Sequence, residues 1–317
     1  MAPSGEINGF THLPGKNCLT TAIRNILNFY GFRFQESMVF GLAEGLGFQF
    51  ETVPGLDSPY LGGTGKQLLQ NFCANLDLKY ELMAWETDQE ALDDLREQID
   101  RQIPVIVHVD LYYLPYFKSE MHFAGHRVIP IGYDENLIYL ADTGFNKIQE
   151  CPVDDFARAR ASAYTPFNPH RRRVSLERPA QKPFIEEHVA KALYNLLSKF
   201  KYNAPGYNLG RIQMLKEHLG DYKSPRRLYV QIEKAGTGGG LSRNLFADFL
   251  DQAFQIYSRG IYGEASVLYE DSAQLWRQIA VGARNGDLSE APSLLDEIYE
   301  MEQEALHVLT RFEADDL

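Results

Sequence analysis

Apolar residues recur at Leu19, Ala22, Ile23, Ile26, Leu27 and Tyr30 in steps of three and one, which predicts one face of a helix that Gly31 ends. The stretch FQESMVFGLAEGLGFQFE follows, where Gly41, Gly45 and Gly47 interrupt any long helix and imply closely approached backbone. TGKQLLQNFCANLDL reads as a second helix and DQEALDDLREQIDRQ as a third, acidic on its outer side. Strands are predicted at Pro104–Asp110, at Arg127–Asp134 and at Leu137–Asp142, the last two joined as a hairpin by a polar turn at Glu135 and Asn136.

The pattern changes after about residue 150. TPFNPHRRRVSLERPAQKP carries four prolines and a basic cluster without clear periodicity, and reads as a connecting arm. Beyond it, segments such as IEEHVAKALYNLLSKFK and APSLLDEIYEMEQEALHVLTRFEADDL place apolar residues at steps of three and four with acidic outer faces. The expected domains are therefore 1–155, an arm at 156–183, and a helical domain at 184–317. No repeat of solenoid length is present.

Composition narrows the function. A hydrophobic fraction of 44% marks a globular chain, and its 317 residues suffice for two domains. The formal charge of -12 argues against nucleic acid as the main partner, because phosphate neutralisation needs clustered cations. No run reaches the roughly 20 apolar residues of a membrane span. The first ten residues lack a secretory signal, and three cysteines without regular spacing favour a reducing cytoplasm over a disulfide framework.

Cys18 starts the first helix, with Asn17 suited to the N-cap, so the positive dipole end and unpaired N–H groups lie beside a potential thiolate. The bland reading is a small apolar residue at a helix edge. A nucleophile needs a base, and His126 precedes the hairpin. If Tyr133 pairs with Leu137, Asp142 lies opposite Val128 and becomes a diagonal neighbour of His126. A slip of one residue would separate them. Together the three would supply thiolate attack, a proton shuttle and an orienting carboxylate.

Other signals are weaker. His122 and His126 stand four apart, but Gly125 and the following strand argue against a helical metal site, and no metal is expected. His122 remains a rival base. GGTGKQ lacks the earlier glycine of a phosphate loop, since Tyr60 stands there, and Gln67 replaces its Ser or Thr. The glycine-rich run Gly236–Gly240 reads as a loop or close contact. Cys73 and Cys151 read as core residues. Tyr112, Tyr113, Tyr116 and Phe117 read as core or as the wall of a substrate tunnel.

The run GKNCLTTAIRNILNFYGFRFQESMVFGLAEGLGFQF, the segment VDLYYLPYF and the segment HFAGHRVIPIGYDENLIYLADT resemble the N-terminal domain of the butirosin biosynthesis protein H family. GTGGGLSRNLFADFLDQAF through LWRQIA resembles the helical domain that accompanies it. The resemblance implies an α+β, papain-like fold related to C39-type cysteine peptidases, with a mainly helical C-terminal domain. It carries the nucleophile to Cys18, the base to His126 and the carboxylate to Asp142. Asn17 is a departure, because the family often has histidine before the cysteine.

The implied activity moves an acyl group from a carrier-protein thioester to a small amine, forming an amide in natural-product assembly. The partner is then an acyl or peptidyl carrier protein. The only cofactor group would be the donor's phosphopantetheine arm. Oxyanion donors would be the Cys18 backbone N–H and, at the position six before the nucleophile in papain-like enzymes, His12, with Asn17 as alternative. Arg171, Arg172 and Arg173 would dock an acidic carrier. Hydrolysis by the same residues and a non-catalytic binding role are the alternatives, and a homodimer through the long C-terminal helices is compatible with the sequence.

Overall fold

The computed structural model describes residues 4–53, 58–165, 167–180, 185–234 and 239–315. In chain order the elements begin with β1 (Gly5–Glu6), α1 (Cys18–Phe29), α2 (Glu36–Leu42), β2 (Leu46–Glu51), β3 (Tyr60–Thr64), α3 (Leu68–Asn75) and β4 (Tyr80–Met83). Next come α4 (Asp88–Asp100), β5 (Val105–Val109), β6 (His126–Tyr133), β7 (Leu137–Ala141), β8 (Gln149–Pro152), α5 (Val153–Ala161) and β9 (Arg173–Leu176). The remainder is helical: α6 (Ile185–Lys201), α7 (Gly210–Glu217), α8 (Pro225–Glu233), α9 (Gly239–Tyr257), α10 (Gly260–Asn285) and α11 (Ala291–Asp315). The class is α+β with a helical C-terminal region, as expected.

The first compact unit comprises Met1–Glu36 and Asp77–Lys182. Its antiparallel sheet has the order β4-β9-β5-β6-β7-β8, with β1 added to the far end of β6. Val105, Val107, Val109, Val128 and Leu140 pack with Leu95 and Ile99 of α4 and Phe156 of α5 in one apolar core. Helix α1 lies against β5 and β6. It is buried on every side from Thr20 to Leu27 rather than along one stripe, while Leu19 and Tyr30 are only half-buried. Its polar side is buried because those groups have partners: Arg24 and Asn25 donate to the carbonyl of Leu13, and Thr20 and Thr21 donate to Glu36.

The expected arm needs correction. Part of it forms α5, and RVSL forms β9, a strand inside the sheet between β4 and β5. Val174 and Leu176 fill one face. On the other, Arg173 is buried because Asp94 takes it with two bonds of 2.8 and 3.1 Å and Glu81 with one of 2.8 Å. Pro166 and residues 181–183 of that arm lie outside the described residues.

The second compact unit comprises Ser37–Leu76 and Pro183–Leu317, so the chain divides at other points than those expected. Residues 37–76 belong with the C-terminal helices because their apolar side chains are covered there. Phe48 stacks on Trp276 at 5.6 Å, and a Cβ on Gly41 would lie 2.1 Å from the ring of Phe249. The fully buried Arg243 of α9 pairs with Glu302 of α11 at 2.8 and 2.7 Å and also donates to the carbonyls of Gly47 and Gly63. Gly236, Thr237 and Gly238 lie outside the described residues, whereas Gly239 and Gly240 open α9. Among the described residues no helix is long and apolar enough to cross a membrane.

Candidate active site

Cys18 is the first residue of α1, and the cap decides which backbone groups remain beside it. Asn17 Oδ1 accepts from Leu19 N at 3.0 Å and Thr20 N at 3.2 Å. Glu36 accepts the N–H groups of Asn17 at 2.7 Å and Lys16 at 2.9 Å. The amide of Cys18 itself has no acceptor among the described residues, although its neighbours on both sides do. Capping also engages only the oxygen of Asn17, which leaves its Nδ2 amide as a donor.

Two bonds fix the loop before Cys18 to the turn after Asp142. Gly15 N donates to the Thr143 carbonyl at 2.9 Å, and His12 Nε2 donates to the Phe145 carbonyl at 2.7 Å. Asn25 Nδ2 donates to the other nitrogen of His12 at 3.3 Å. Both ring nitrogens are thus engaged, and the expectation of His12 as an oxyanion donor is corrected: it is a clamp. Gly15 must be glycine, since a Cβ would lie 2.0 Å from Thr21 Oγ1 and 2.4 Å from Glu36 Oε2.

His126 opens β6, where it pairs with Val109 of β5. Its Nε2 lies 2.8 Å from Oδ1 and 3.0 Å from Oδ2 of Asp142, which is fully buried. The hairpin reaches this arrangement by an unexpected route. Tyr133 pairs with Ile138, not Leu137, but a bulge leaves Ile131 unmatched between Pro130↔Leu140 and Gly132↔Tyr139. From there Ile129 faces Ala141, the register that brings Asp142 opposite Val128. Without the bulge the carboxylate would turn to the other face. Pro130, unable to donate a ladder bond, is a residue type that bulges tolerate.

Tyr116 OH donates to Asp142 Oδ2 at 2.8 Å. Phe117 stands edge-on to the His126 ring at 5.3 Å, and Phe145 packs edge-on against both Tyr116 and Phe117. Of the four singled-out aromatics, Tyr116 and Phe117 therefore enclose the dyad. The other two flank His122: Tyr112 stacks on it at 4.0 Å and Tyr113 meets it edge-on at 5.7 Å. His122 Nδ1 donates to Asp110 at 2.6 Å, and that buried carboxylate also accepts from Ser162 Oγ and the N–H of Phe123. This separate cluster removes His122 as a rival base.

The charges couple Cys18 to His126. Burial lowers the tendency of His126 to hold a proton, but the charge and hydrogen bond of Asp142, with Cys18, outweigh it and push the imidazole up to about 10. Burial raises the Cys18 thiol; the hydrogen bond and charge of His126, with the charge and backbone N–H of Arg127, bring it below its ordinary value. With Nε2 given to Asp142, Nδ1 is the His126 nitrogen left for the thiol. Cys73 and Cys151 are both pushed up to about 12 by burial, as inert core thiols are.

The arginine run is not one exposed patch, which corrects its reading as a docking surface. Arg173 is the buried ion pair of β9, and Arg171 pairs with Asp88 at 2.6 Å. Arg172 alone is half-exposed without a carboxylate partner among the described residues. Sequence reasoning missed Glu36, whose contacts reach back about one helix length and leave no local signal, and saw Tyr116 only as an aromatic wall.

Residues 17–143 match the family described as butirosin biosynthesis protein H, N-terminal, and residues 154–313 match a domain of unknown function, DUF4872. A solved structure described as a C39-like peptidase from Bacillus anthracis is 14% identical, with 56% of this chain and 98% of that one covered and a TM-score of 0.41. No curated protein sequence matches the chain significantly. With its Cys18 helix and His126–Asp142 hairpin inside the first matched region and its helices inside the second, the chain belongs to the family that joins a butirosin biosynthesis protein H N-terminal domain to a DUF4872 domain.

Proposed function

We propose that the protein is a cysteine-dependent acyltransferase that takes an acyl group from a carrier-protein thioester and delivers it to a small amine, making an amide. The observation that carries the reading is the coupling of Cys18 to a His126 already held by Asp142. The family match supports biosynthetic acyl transfer as its use.

The Cys18 thiolate, whose proton rests on the His126 imidazolium, attacks the thioester carbonyl. The tetrahedral oxyanion accepts from the Cys18 backbone N–H and from Asn17 Nδ2, the two donors that the cap leaves over. Collapse breaks the bond to the carrier sulfur, which takes the proton from His126 and leaves as a thiol. One thioester has replaced another, so this step is close to balanced in energy. The amine then attacks acyl-Cys18 and gives its proton to His126. Collapse returns that proton to the Cys18 sulfur and releases the amide. The aromatic wall of Tyr116, Phe117 and Phe145 limits water near the imidazole.

The test is intact-protein mass after mixing with a panel of acyl thioesters, beside Cys18→Ala. A mass gain that requires Cys18 supports the reading, and no Cys18-dependent adduct from any donor overturns it.

A further inference from the structure

Two buried charges, Arg24 of α1 and Glu36 at the start of α2, spend their hydrogen bonds on the chain around Cys18. A charge is tolerated in the interior only where hydrogen bonds replace water, so the partners show what each charge holds.

Glu36 takes the N–H groups. Its oxygens accept from Lys16 N at 2.9 and 3.1 Å, from Asn17 N at 2.7 Å, and from the hydroxyls of Thr20 and Thr21 at 3.0 and 2.9 Å. Arg24 takes the carbonyls, donating to that of Leu13 and, at 3.1 Å, to that of Pro14. Asn25, which accepts from Arg24 at 3.1 and 3.0 Å, adds a second bond to the Leu13 carbonyl at 3.0 Å. Gly15 N is held by the Thr143 carbonyl. Every residue from Leu13 to Asn17 thus has a backbone group held from outside the loop, and the next N–H along the chain, that of Cys18, is left without an acceptor among the described residues. Charge-assisted bonds are about twice as strong as neutral ones, so this grip exceeds what capping needs, which Asn17 Oδ1 already supplies.

We propose that Glu36 and Arg24 are a positioning pair for the oxyanion hole: acting through the backbone of the loop, they hold the Cys18 N–H and Asn17 Nδ2 aimed at the place where a carbonyl oxygen becomes negative. Donors fixed before the charge develops stabilise it without reorganising. The assignment rests on Cys18 as an acylated nucleophile, and not on the carrier or the amine.

The test compares two reagents at one sulfur. p-Nitrophenyl acetate acylates Cys18 through a tetrahedral oxyanion and expels nitrophenolate, whereas iodoacetamide alkylates it by direct displacement of iodide and forms no oxyanion. Intact mass against Cys18→Ala corrects for other nucleophiles. Both reagents use the same thiolate, so its protonation cancels in the ratio of the two rates. Glu36→Gln and Arg24→Gln should each lower the ester to iodoacetamide ratio about tenfold or more, the effect of one misplaced bond to an oxyanion.

The shared direction separates positioning from charge. The two substitutions remove opposite charges, so a field acting on the oxyanion would raise the ratio in Glu36→Gln and lower it in Arg24→Gln. Glu36→Asp and Arg24→Lys keep the charge but lose the reach or the fork; they should give smaller losses in the same direction, and they serve where a Gln variant does not fold. Ratios that move in opposite directions overturn the assignment. Unchanged ratios in the folded variants, with only the melting temperature lowered, make the pair structural and overturn it as well. A lowered ratio in a protein that no acyl thioester acylates overturns the acyltransferase and leaves the positioning pair standing.

Discussion

His126 Nε2 and Asp142 Oδ1 lie 2.8 Å apart across a hairpin whose register changes by one residue between its turn and the site. The contact joins a strand start to a strand end, and Ile131, matched by no residue of β7, sets the phase.

Asp142→Asn should remove the charge that keeps His126 protonated. In the wild type the Cys18 thiolate forms below the ordinary thiol range and keeps its imidazolium partner until the pH passes about 10. In the variant the imidazolium is lost at lower pH, and the Cys18 titration should move upward by about 1–3 units. The pH dependence of iodoacetamide alkylation measures it directly.

Tyr116→Phe deletes a single hydrogen bond to a buried carboxylate without changing the ring. Bonds to charged groups are worth about 1.5–3 kcal/mol, so kcat should drop about tenfold or more while KM changes little. Steady-state kinetics with a working thioester provides the check.

His12→Ala distinguishes a clamp from an oxyanion donor. Alkylation forms no oxyanion, so loss of a mere donor would leave its rate unchanged. Loss of the clamp to Phe145 should slow iodoacetamide alkylation and also lower the melting temperature.

Glu302→Gln breaks the buried pair with Arg243 in the second unit, and the expected destabilisation is about 3–5 kcal/mol. Replacing both, as Arg243→Met with Glu302→Met, should recover much of that loss. Thermal or denaturant melting of the full chain reads both variants.

The local features were legible. The α6 segment was expected at 185–201 and spans Ile185–Lys201; β5, β6 and β7 fall within a residue or so of their expected bounds. The pairing of His126 with Asp142 was reached from a premise that was off by one, because no sequence pattern announces a bulge except, weakly, Pro130. The assignment of residues 37–76 to the second unit was illegible: the partners of Gly41 and Phe48 are Phe249 and Trp276, some two hundred residues away. Strand β9 was hidden by the arginine run that leads into it, because the burial of Arg173 depends on carboxylates at Glu81 and Asp94. His12 makes other bonds than the expected one, since a histidine's partners are set by tertiary contacts such as Phe145 and Asn25.

The most direct measurement starts from acyl-Cys18 enzyme isolated after exposure to a thioester and divides it between buffer and buffer containing small amines. The account predicts that amine speeds the loss of the acyl mass and that the amide appears in equal amount. Loss at one rate in both, with only the free acid formed, would contradict it and make the protein a hydrolase.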